Sequence, residues 1–374
     1  MATVARKRPA AVLATTTKGP ATTSRKKSRT SADQYEKLAC LGEGGFGVVQ
    51  KARHRATGKI VAMKHLSSAG ADEALLRREA RFLETCNGNP YVTGFEGLVR
   101  DHASGNLCLV MEYVAAPTLH TLMWDRRHSP PLPESRVRAI MWKLLTGAKL
   151  MHHRHVVHRD IKPENILISE DCKLVKICDL GLSMCMSESL PYKLVGTVPY
   201  IAPEVLLGKP DYDALVDTWS LGCVMAEMLT GETLFEEDVD DDDDQGEVND
   251  ADPVVPLWGI FRVLGVPDSR TWPEFKSLPL TAEVLPLLPK EQKRNSLRDI
   301  FPEQKLSQQG FQVLQGLLTC NPEKRLTAAK ALKLPWFAAP RPSAAAAKVE
   351  ALPLPRKKTP RFMVPPAVLK SQRV

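Results

Sequence analysis

Apolar and polar positions along this chain change period several times, and each change predicts an element. Phe46-Gly47-Val48-Val49 and Ile60 to Met63 are apolar runs on either side of the turn Ala56-Thr57-Gly58, which predicts two strands joined as a hairpin, with Lys64 closing the second. From Asp72 to Cys86 the pattern becomes helical, with Glu79 set among Glu73, Glu84, Arg77, Arg78 and Arg81. Leu174 to Cys178 is a short apolar stretch and reads as a buried strand. Glu236 to Asp252 has no apolar period and carries the run Asp240 to Asp244. Like charges packed this closely repel, so a disordered surface insertion is expected there. A Ca²⁺ loop is the sharper alternative, but the glycine and terminal glutamate it needs are missing at the required spacing. No apolar run reaches the roughly 18 residues that cross a bilayer, so the expectation is a soluble protein with no membrane contact.

Candidate chemistry gathers in the run His155 to Leu167, HVVHRDIKPENIL, which sets Asp160, Lys162 and Asn165 at fixed offsets. On a loop, the Asp160 carboxylate can orient a hydroxyl and accept its proton, Lys162 can neutralise charge on a moving phosphoryl group, and Asn165 can offer an amide oxygen to a metal ion. Phosphoryl transfer asks little covalent chemistry of a protein and rests on positioning and charge neutralisation. A second carboxylate is therefore expected, and Asp179 supplies it in CDLG, directly after the Leu174 to Cys178 strand. Hard oxygen ligands of this kind suit Mg²⁺.

Upstream, Leu41 to Val49 reads LGEGGFGVV, where Gly42, Gly44 and Gly47 form G-x-G-x-x-G. Glycine there lets backbone N–H groups approach phosphate oxygens without a Cβ in the way. A dinucleotide-binding turn would run from a strand straight into a helix and want an acidic residue about 20 positions on. The strand pattern on both sides favours a hairpin lid over a nucleotide instead. Lys64 is then placed to reach phosphates, and Glu79 is the candidate carboxylate to hold it, the plainer reading of Glu79 being a solvated helix face. Each piece alone is a weak signal: an HRD tripeptide is common by chance and Asp-Leu-Gly is usually a turn. Their joint occurrence in this order is what carries weight.

With those motifs in place, Tyr35 to Phe337 resembles the eukaryotic protein kinase domain of the serine/threonine type. The resemblance implies an α+β, bilobal fold, a β-rich N-lobe at about 35–113 and a mainly helical C-lobe at about 114–337, with ATP and Mg²⁺ bound between them. By that likeness Asp160 is the catalytic base, Lys162 and Thr197 of GTVPYIAPE act beside it, and Asn165 and Asp179 bind metal. Nucleotide contact falls to Leu41, Gly42, Glu43, Gly44, Gly45, Phe46, Gly47, Val48 and Val49 of the loop, and to Lys64 held by Glu79. Ala62, Leu167 and the stretch LCLVMEYV complete the set, with Met111 as gatekeeper and Glu112 and Val114 offering backbone groups to adenine. Glu204 of Ala-Pro-Glu would pair with Arg325 in NPEKRLTAAKAL, and Asp217 in DTWSLGCV would brace the catalytic loop.

Within the family, YEKLACLGEGGFGVVQKARHRATGKIVAMK looks most like the opening of cyclin-dependent kinases, and IFRVLGVPDSRTW resembles an extra C-lobe segment of the group that holds cyclin-dependent and MAP kinases. The partners implied are protein substrates and a cyclin or other activating subunit. Some positions depart from the group. The helix gripped by cyclins reads LLRREARFL, Gly45 and Phe46 stand where inhibitory threonine and tyrosine occur, and Ile201 replaces an arginine that shapes the pocket for proline. Leu180 replaces a phenylalanine and Leu334 a histidine. Tyr192 sits near the usual activating threonine, Ser183, Ser187 and Ser189 are further candidates, and Arg159 is the sort of cation that pairs with such a phosphate.

Composition bounds the rest. The 374 residues, 43% hydrophobic and 25% charged, suffice for one two-lobed catalytic domain plus tails. The net charge of +8 is unevenly placed: residues 1–32 hold eight basic residues and no acid, and 338–374 hold eight basic residues and only Glu350, which leaves the middle of the chain net acidic. A nucleic-acid-binding catalytic surface is therefore not indicated. Residues 1–34 and 338–374, poor in aromatics and rich in Ala, Thr, Ser and Pro, are expected to be disordered. Arg25-Lys26-Lys27 and Arg356-Lys357-Lys358 fit nuclear import, a generic basic tail fits equally, and an organelle transit peptide is a third reading of the N-terminus. Nucleus and cytoplasm are the expected locations. His152, His153, His155 and His158 lack a ligand set at metal spacing, and the eight cysteines form no C-x-x-C pair, which suits a reducing compartment. A catalytically silent scaffold is the competing function; such chains usually lose the lysine or one of the two aspartates, and here Lys64, Asp160 and Asp179 all stand.

Overall fold

The computed structural model describes residues 31–44, 47–66, 73–102, 104–124, 131–188, 194–235, 254–287 and 294–338. Gly45, Phe46, Ser189, Tyr192, the acidic stretch 236–252 and the basic tails at 1–30 and 339–374 lie outside them.

The N-terminal lobe contains β1 (Tyr35–Gly44), β2 (Gly47–His54), β3 (Ile60–His65), α1 (Glu73–Thr85), β4 (Phe95–Arg100) and β5 (Leu107–Glu112). The strands form one antiparallel sheet in the order β1-β2-β3-β5-β4. The expected hairpin is present, and its turn closes where Gly58, at φ +71°, donates its N–H to the His54 carbonyl at 2.8 Å. Strand alternation sorts β3 into two faces. Val61 and Met63 pack with Ala52, Val99, Cys108 and Val110 in a small core of their own. Ala62 and Lys64 take the other face, and Val49 and Leu109 pair across from Lys64. Helix α1 lies one residue inside each predicted end. It buries Leu76, Glu79, Ala80, Phe82 and Leu83, the spacing of a single helical face.

The C-terminal lobe follows with α2 (Leu119–Trp124), α3 (Glu134–His153), β6 (Val156–Val157), β7 (Ile166–Ile168), β8 (Val175–Ile177), β9 (Met184–Cys185), α4 (Pro203–Leu206) and α5 (Leu215–Thr230). Six more helices complete the described part: α6 (Val254–Leu264), α7 (Thr281–Val284), α8 (Leu297–Ile300), α9 (Gln308–Leu317), α10 (Ala328–Ala331) and α11 (Pro335–Ala338). α3 buries Val137, Ile140, Met141, Leu144, Leu145, Ala148 and Met151 on one stripe. α5 is buried on every side from Val216 to Leu229, as an all-round apolar helix must be. It stops at Gly231, whose left-handed φ of +89° lets its N–H reach the Glu227 carbonyl at 2.7 Å. Each fully buried Leu, Ile or Val contributes about 1.5–3 kcal/mol, so this helix pair is the rigid base of the lobe. The short hairpin β7–β8 pairs Ile166 with Ile177, and it sets the catalytic loop on one side and Asp179 on the other.

Candidate active site

Lys64 ends up where β3 alternation sends it, into the cleft between the lobes. Its Nζ donates to Glu79 Oε1 and Oε2 at 3.1 and 2.9 Å and to Asp179 Oδ1 at 2.9 Å. Lys64 is 5% and Glu79 3% exposed, so neither charge is hydrated and each depends on the other. Burial works against the Lys64 charge, but Glu79 and then Asp179 outweigh it, and the ammonium is held above the usual lysine range. Burial also dominates at Glu79, where it pushes the carboxyl upward against the pull of Lys64. At Asp179 burial is again the largest influence, yet Lys64 overcomes it and the carboxyl lies below its ordinary value. Gly181 packs closely on the triad: a Cβ there would sit 3.2 Å from Asp179 Oδ1 and 3.6 Å from both Glu79 Oε2 and Lys64 Nζ.

Asp160 lies on the loop after β6 and is linked to this triad through His158 and Cys178. Its Oδ1 accepts from Thr197 Oγ1 at 2.7 Å, and its Oδ2 lies 3.3 Å from Lys162 Nζ. Lys162 also donates to Thr197 Oγ1 at 2.6 Å, which closes a three-membered ring of side chains. Asn165 Nδ2 donates to both the Asp160 carbonyl at 2.8 Å and Oδ2 at 3.0 Å. Its amide nitrogen is thereby fixed, and its Oδ1 is the atom turned to other partners.

The loop itself is held from below. Asp217, fully buried at the start of α5, accepts from the backbone N–H of His158 and of Arg159, both at 2.9 Å, and pairs with His152 at 2.8 Å. Burial opposes its charge, but His152 and these donors hold the carboxyl below the aspartate range. His158 Nδ1 accepts from the Asp160 N–H at 3.2 Å, so its Nε2 carries the proton donated to the Cys178 carbonyl at 3.1 Å. One imidazole thus ties the loop that carries Asp160 to the strand leading into Asp179. Arg159 and Asp179 both have positive φ, +69° and +60°. Such backbone costs about 1–3 kcal/mol per residue and persists only where neighbours over-determine it, which Asp217 and Lys64 do. Arg159 donates to the Leu182 carbonyl at 2.7 Å and to the Tyr212 hydroxyl at 3.0 Å.

The remaining predicted positions surround the triad. Ala62 and Met111 are buried side by side across β3 and β5, Val49 packs at the edge of the main core, and Leu167 lies half-buried in β7. Leu41, Gly42 and Glu43 are exposed, Gly44 ends β1, and Val48 is half-buried in β2. Gly42 and Gly47 serve different needs. A Cβ on Gly42 meets nothing within 4 Å, whereas Gly47, at φ +131°, has the His65 carbonyl oxygen 2.0 Å from where a Cβ would go. The Glu112 N–H donates to the Gly94 carbonyl at 2.9 Å, and the Val114 carbonyl accepts from Ala116 at 2.9 Å.

Sequence reasoning missed several contributors. The Glu112 carboxylate accepts from the Gly94 N–H and from Lys176 Nζ, both at 2.9 Å, and so links β5 to β8 across the lobes. His152, weighed only as a metal candidate, is a partner of Asp217. Glu188 holds Arg78 and Arg81. None of these has a motif, although Arg78 and Arg81 on either side of Glu79 were a legible hint of an acid nearby.

Residues 35–337 match the protein kinase domain. The chain belongs to the protein kinase domain family. This kinase is 41% identical over 312 residues to the "Putative cyclin-dependent kinase F-2" of Oryza sativa subsp. japonica, covering 82% of this chain and 90% of that one. It is 36% identical over 318 residues to "Cyclin-dependent kinase G-2" of Oryza sativa subsp. indica, and 36% over 325 residues to "Cyclin-dependent kinase G1" of Arabidopsis thaliana. Those matches cover 82% of this chain in both cases but 42% and 49% of the relatives, so the chain spans less than half the length of these two. It is a serine/threonine protein kinase similar to cyclin-dependent kinases. The family uses ATP and typically Mg²⁺. Among the described residues no group of three or more His, Cys, Asp or Glu stands together as a metal site. Asp179 and the Asn165 amide oxygen are two hard donors, which fits Mg²⁺ completed by phosphates and waters rather than caged by protein.

Proposed function

We propose that this cleft transfers the γ-phosphoryl group of ATP to serine and threonine hydroxyls on proteins, with the roles divided among the residues just described. The observation that supports this most is the joining of two clusters, Lys64–Glu79–Asp179 and Asp160–Lys162–Thr197–Asn165, through Cys178, whose N–H donates to the Asn165 carbonyl at 2.9 Å and whose carbonyl accepts from His158 at 3.1 Å directly before Asp179. Magnesium-bound ATP supplies the phosphoryl group and a charge-neutralising cation. Lys64, kept charged by its carboxylates, grips the α- and β-phosphates, and Gly42, with open space where a Cβ would be, lets the β1–β2 backbone close over them. Asp179 and Asn165 Oδ1 would hold the Mg²⁺ that neutralises phosphate charge. Asp160 orients the acceptor hydroxyl and takes its proton, Thr197 keeps one carboxylate oxygen in place, and Lys162 neutralises charge as it develops. The Glu112 carbonyl and Val114 N–H address adenine, with Ala62, Val49, Met111 and Leu167 closing around the ring.

The relatives' names carry the word cyclin, and an activating subunit is the partner that this suggests. Against a strict requirement stands α1, which already places Glu79 on Lys64 within the single chain. A kinase active without a cyclin is the second reading, carried by that contact. Transfer of label from γ-labelled ATP to a generic basic protein tests both statements. Wild type should label serine and threonine while Asp160→Asn falls at least about a hundredfold, and added cyclin should leave the rate unchanged. Equal labelling by both proteins removes the assigned chemistry, and dependence of the wild-type rate on cyclin removes the second statement alone.

A further inference from the structure

Helix α1 carries Glu79, so whatever fixes α1 fixes the partner of Lys64. Among the described residues, three polar tethers act on it besides the Glu79–Lys64 pair. At its first turn, Arg100 of β4 grips Glu73 through two bonds of 2.8 and 3.1 Å. Beyond its last turn, Arg154 donates to the carbonyls of Thr85 and Asn87, both at 2.8 Å. Neither reaches the segment that follows Asp179. The third does: Arg78, next to Glu79 in sequence, pairs with Glu188 Oε2 at 3.3 Å, and Arg81 Nη2 pairs with Glu188 Oε1.

Glu188 is itself anchored. Its N–H donates to the Cys185 carbonyl at 2.9 Å, and its Oε2 accepts from the Cys185 N–H at 3.5 Å. Cys185 belongs to β9, which pairs with β6 through Val156–Cys185 and Val157–Met184. Met186 adds a bond to the His155 carbonyl at 2.9 Å. β6 runs directly into His158 and Asp160. A covalent and hydrogen-bonded path thus joins the catalytic loop to Glu188, and two guanidinium contacts continue it to α1. The arrangement also explains the charge pattern on α1, where one carboxylate is shared by two arginines one turn apart.

We propose that Glu188 is a positioning residue for phosphoryl transfer: gripped by Arg78 and Arg81, it holds α1 against the catalytic loop in the orientation that keeps Glu79 on Lys64. The proposal rests on Lys64 being the nucleotide anchor. It gives the segment after Asp179 a built-in anion at α1, supplied by the chain rather than by modification. Burial raises the Glu188 carboxyl and Arg81 and Arg78 pull it down further than that, so it stays charged through the neutral range.

The test uses the full chain. kcat and KM for ATP, together with amide hydrogen exchange, are measured for wild type, Glu188→Gln, Glu188→Arg, and the reversed set Glu188→Arg with Arg78→Glu and Arg81→Glu. Lys64→Met serves as reference. Glu188→Gln should lower kcat/KM by about tenfold, two partly exposed charged contacts being lost, and exchange should rise across Glu73–Thr85 but not in α5. Glu188→Arg should be worse, and the reversed set should recover most of the loss. A wild-type rate with unchanged α1 exchange in Glu188→Gln overturns the proposal. So does a slow Glu188→Gln whose α1 exchange is unchanged and whose reversed set is no better than Glu188→Arg. If Lys64→Met itself keeps the wild-type rate, the anchor reading has failed, and the exchange data still decide whether Glu188 tethers α1. If Lys64→Met is inactive while Glu188→Gln keeps the wild-type rate, the tether alone is refuted.

Discussion

At the scale of single residues, chemistry constrains identity most tightly where an atom must be absent or a backbone must be strained. Gly47 and Gly42 sit in one motif yet answer to different forces. Gly47 is required by the close crossing of β2 and β3, where any Cβ meets the His65 carbonyl. Gly47→Ala should therefore destabilise the fold by about 2–5 kcal/mol, combining positive-φ strain and overpacking. Gly42→Ala should change stability by no more than about 0.5 kcal/mol. Urea unfolding of the two variants checks this, and equal stabilities would contradict it. The offsets of Asp160, Lys162, Asn165 and Asp179 were legible in the sequence because phosphoryl transfer needs those groups in that order. The proton position on His158 and the grip of Glu112 on Lys176 were not, because they depend on what the fold brings opposite. Nothing local in a sequence encodes a partner tens of residues away.

At the scale of elements, period and length decided what could be read. α1 and the β2–β3 hairpin announce themselves through spacing and turn residues. β6 and β9, two residues each, are too short to show any period, yet their pairing carries the path from the catalytic loop to Glu188. Ion pairs between elements were readable only through the family likeness. Arg325 reaches Glu204 of α4 through two 2.7 Å bonds, donates also to the carbonyls of Leu215, Thr319 and Cys320, and lies over the Trp219 ring at 5.1 Å. Both charges are buried, so losing one partner strands the other. Arg325→Met should cost about 3–5 kcal/mol, while Glu204→Leu combined with Arg325→Met should recover part of that by removing both charges. Thermal unfolding measures the difference. A double variant less stable than Arg325→Met would show that Glu204 is not stranded when Arg325 is lost.

At the scale of the molecule, function depends on convergence across the lobe boundary. β3 and α1 present Lys64 and Glu79 from one lobe, while the loops after β6 and β8 present Asp160 and Asp179 from the other. The Lys64–Asp179 contact spans that boundary and so reports directly on lobe closure. Glu112 with Lys176, Glu188 with Arg78 and Arg81, Arg154 with the Thr85 and Asn87 carbonyls, and the backbone bonds of Ile177 with Tyr91 and Thr93 cross it elsewhere, and the geometry of the site depends on these crossings together. The bilobal plan was legible from the order of motifs. The crossings that hold it closed were not, since each joins residues that only the folded chain brings near one another.

The most direct test is a crystal structure of this kinase with Mg²⁺ and a non-hydrolysable ATP analogue. One Mg²⁺ should be bound by both Asp179 and Asn165 Oδ1 at about 2.1 Å, with Lys64 Nζ within hydrogen-bond distance of the α- or β-phosphate and Asp160 facing the terminal phosphate. A nucleotide seated elsewhere, or these four groups pointing away from a common ligand, would contradict this arrangement.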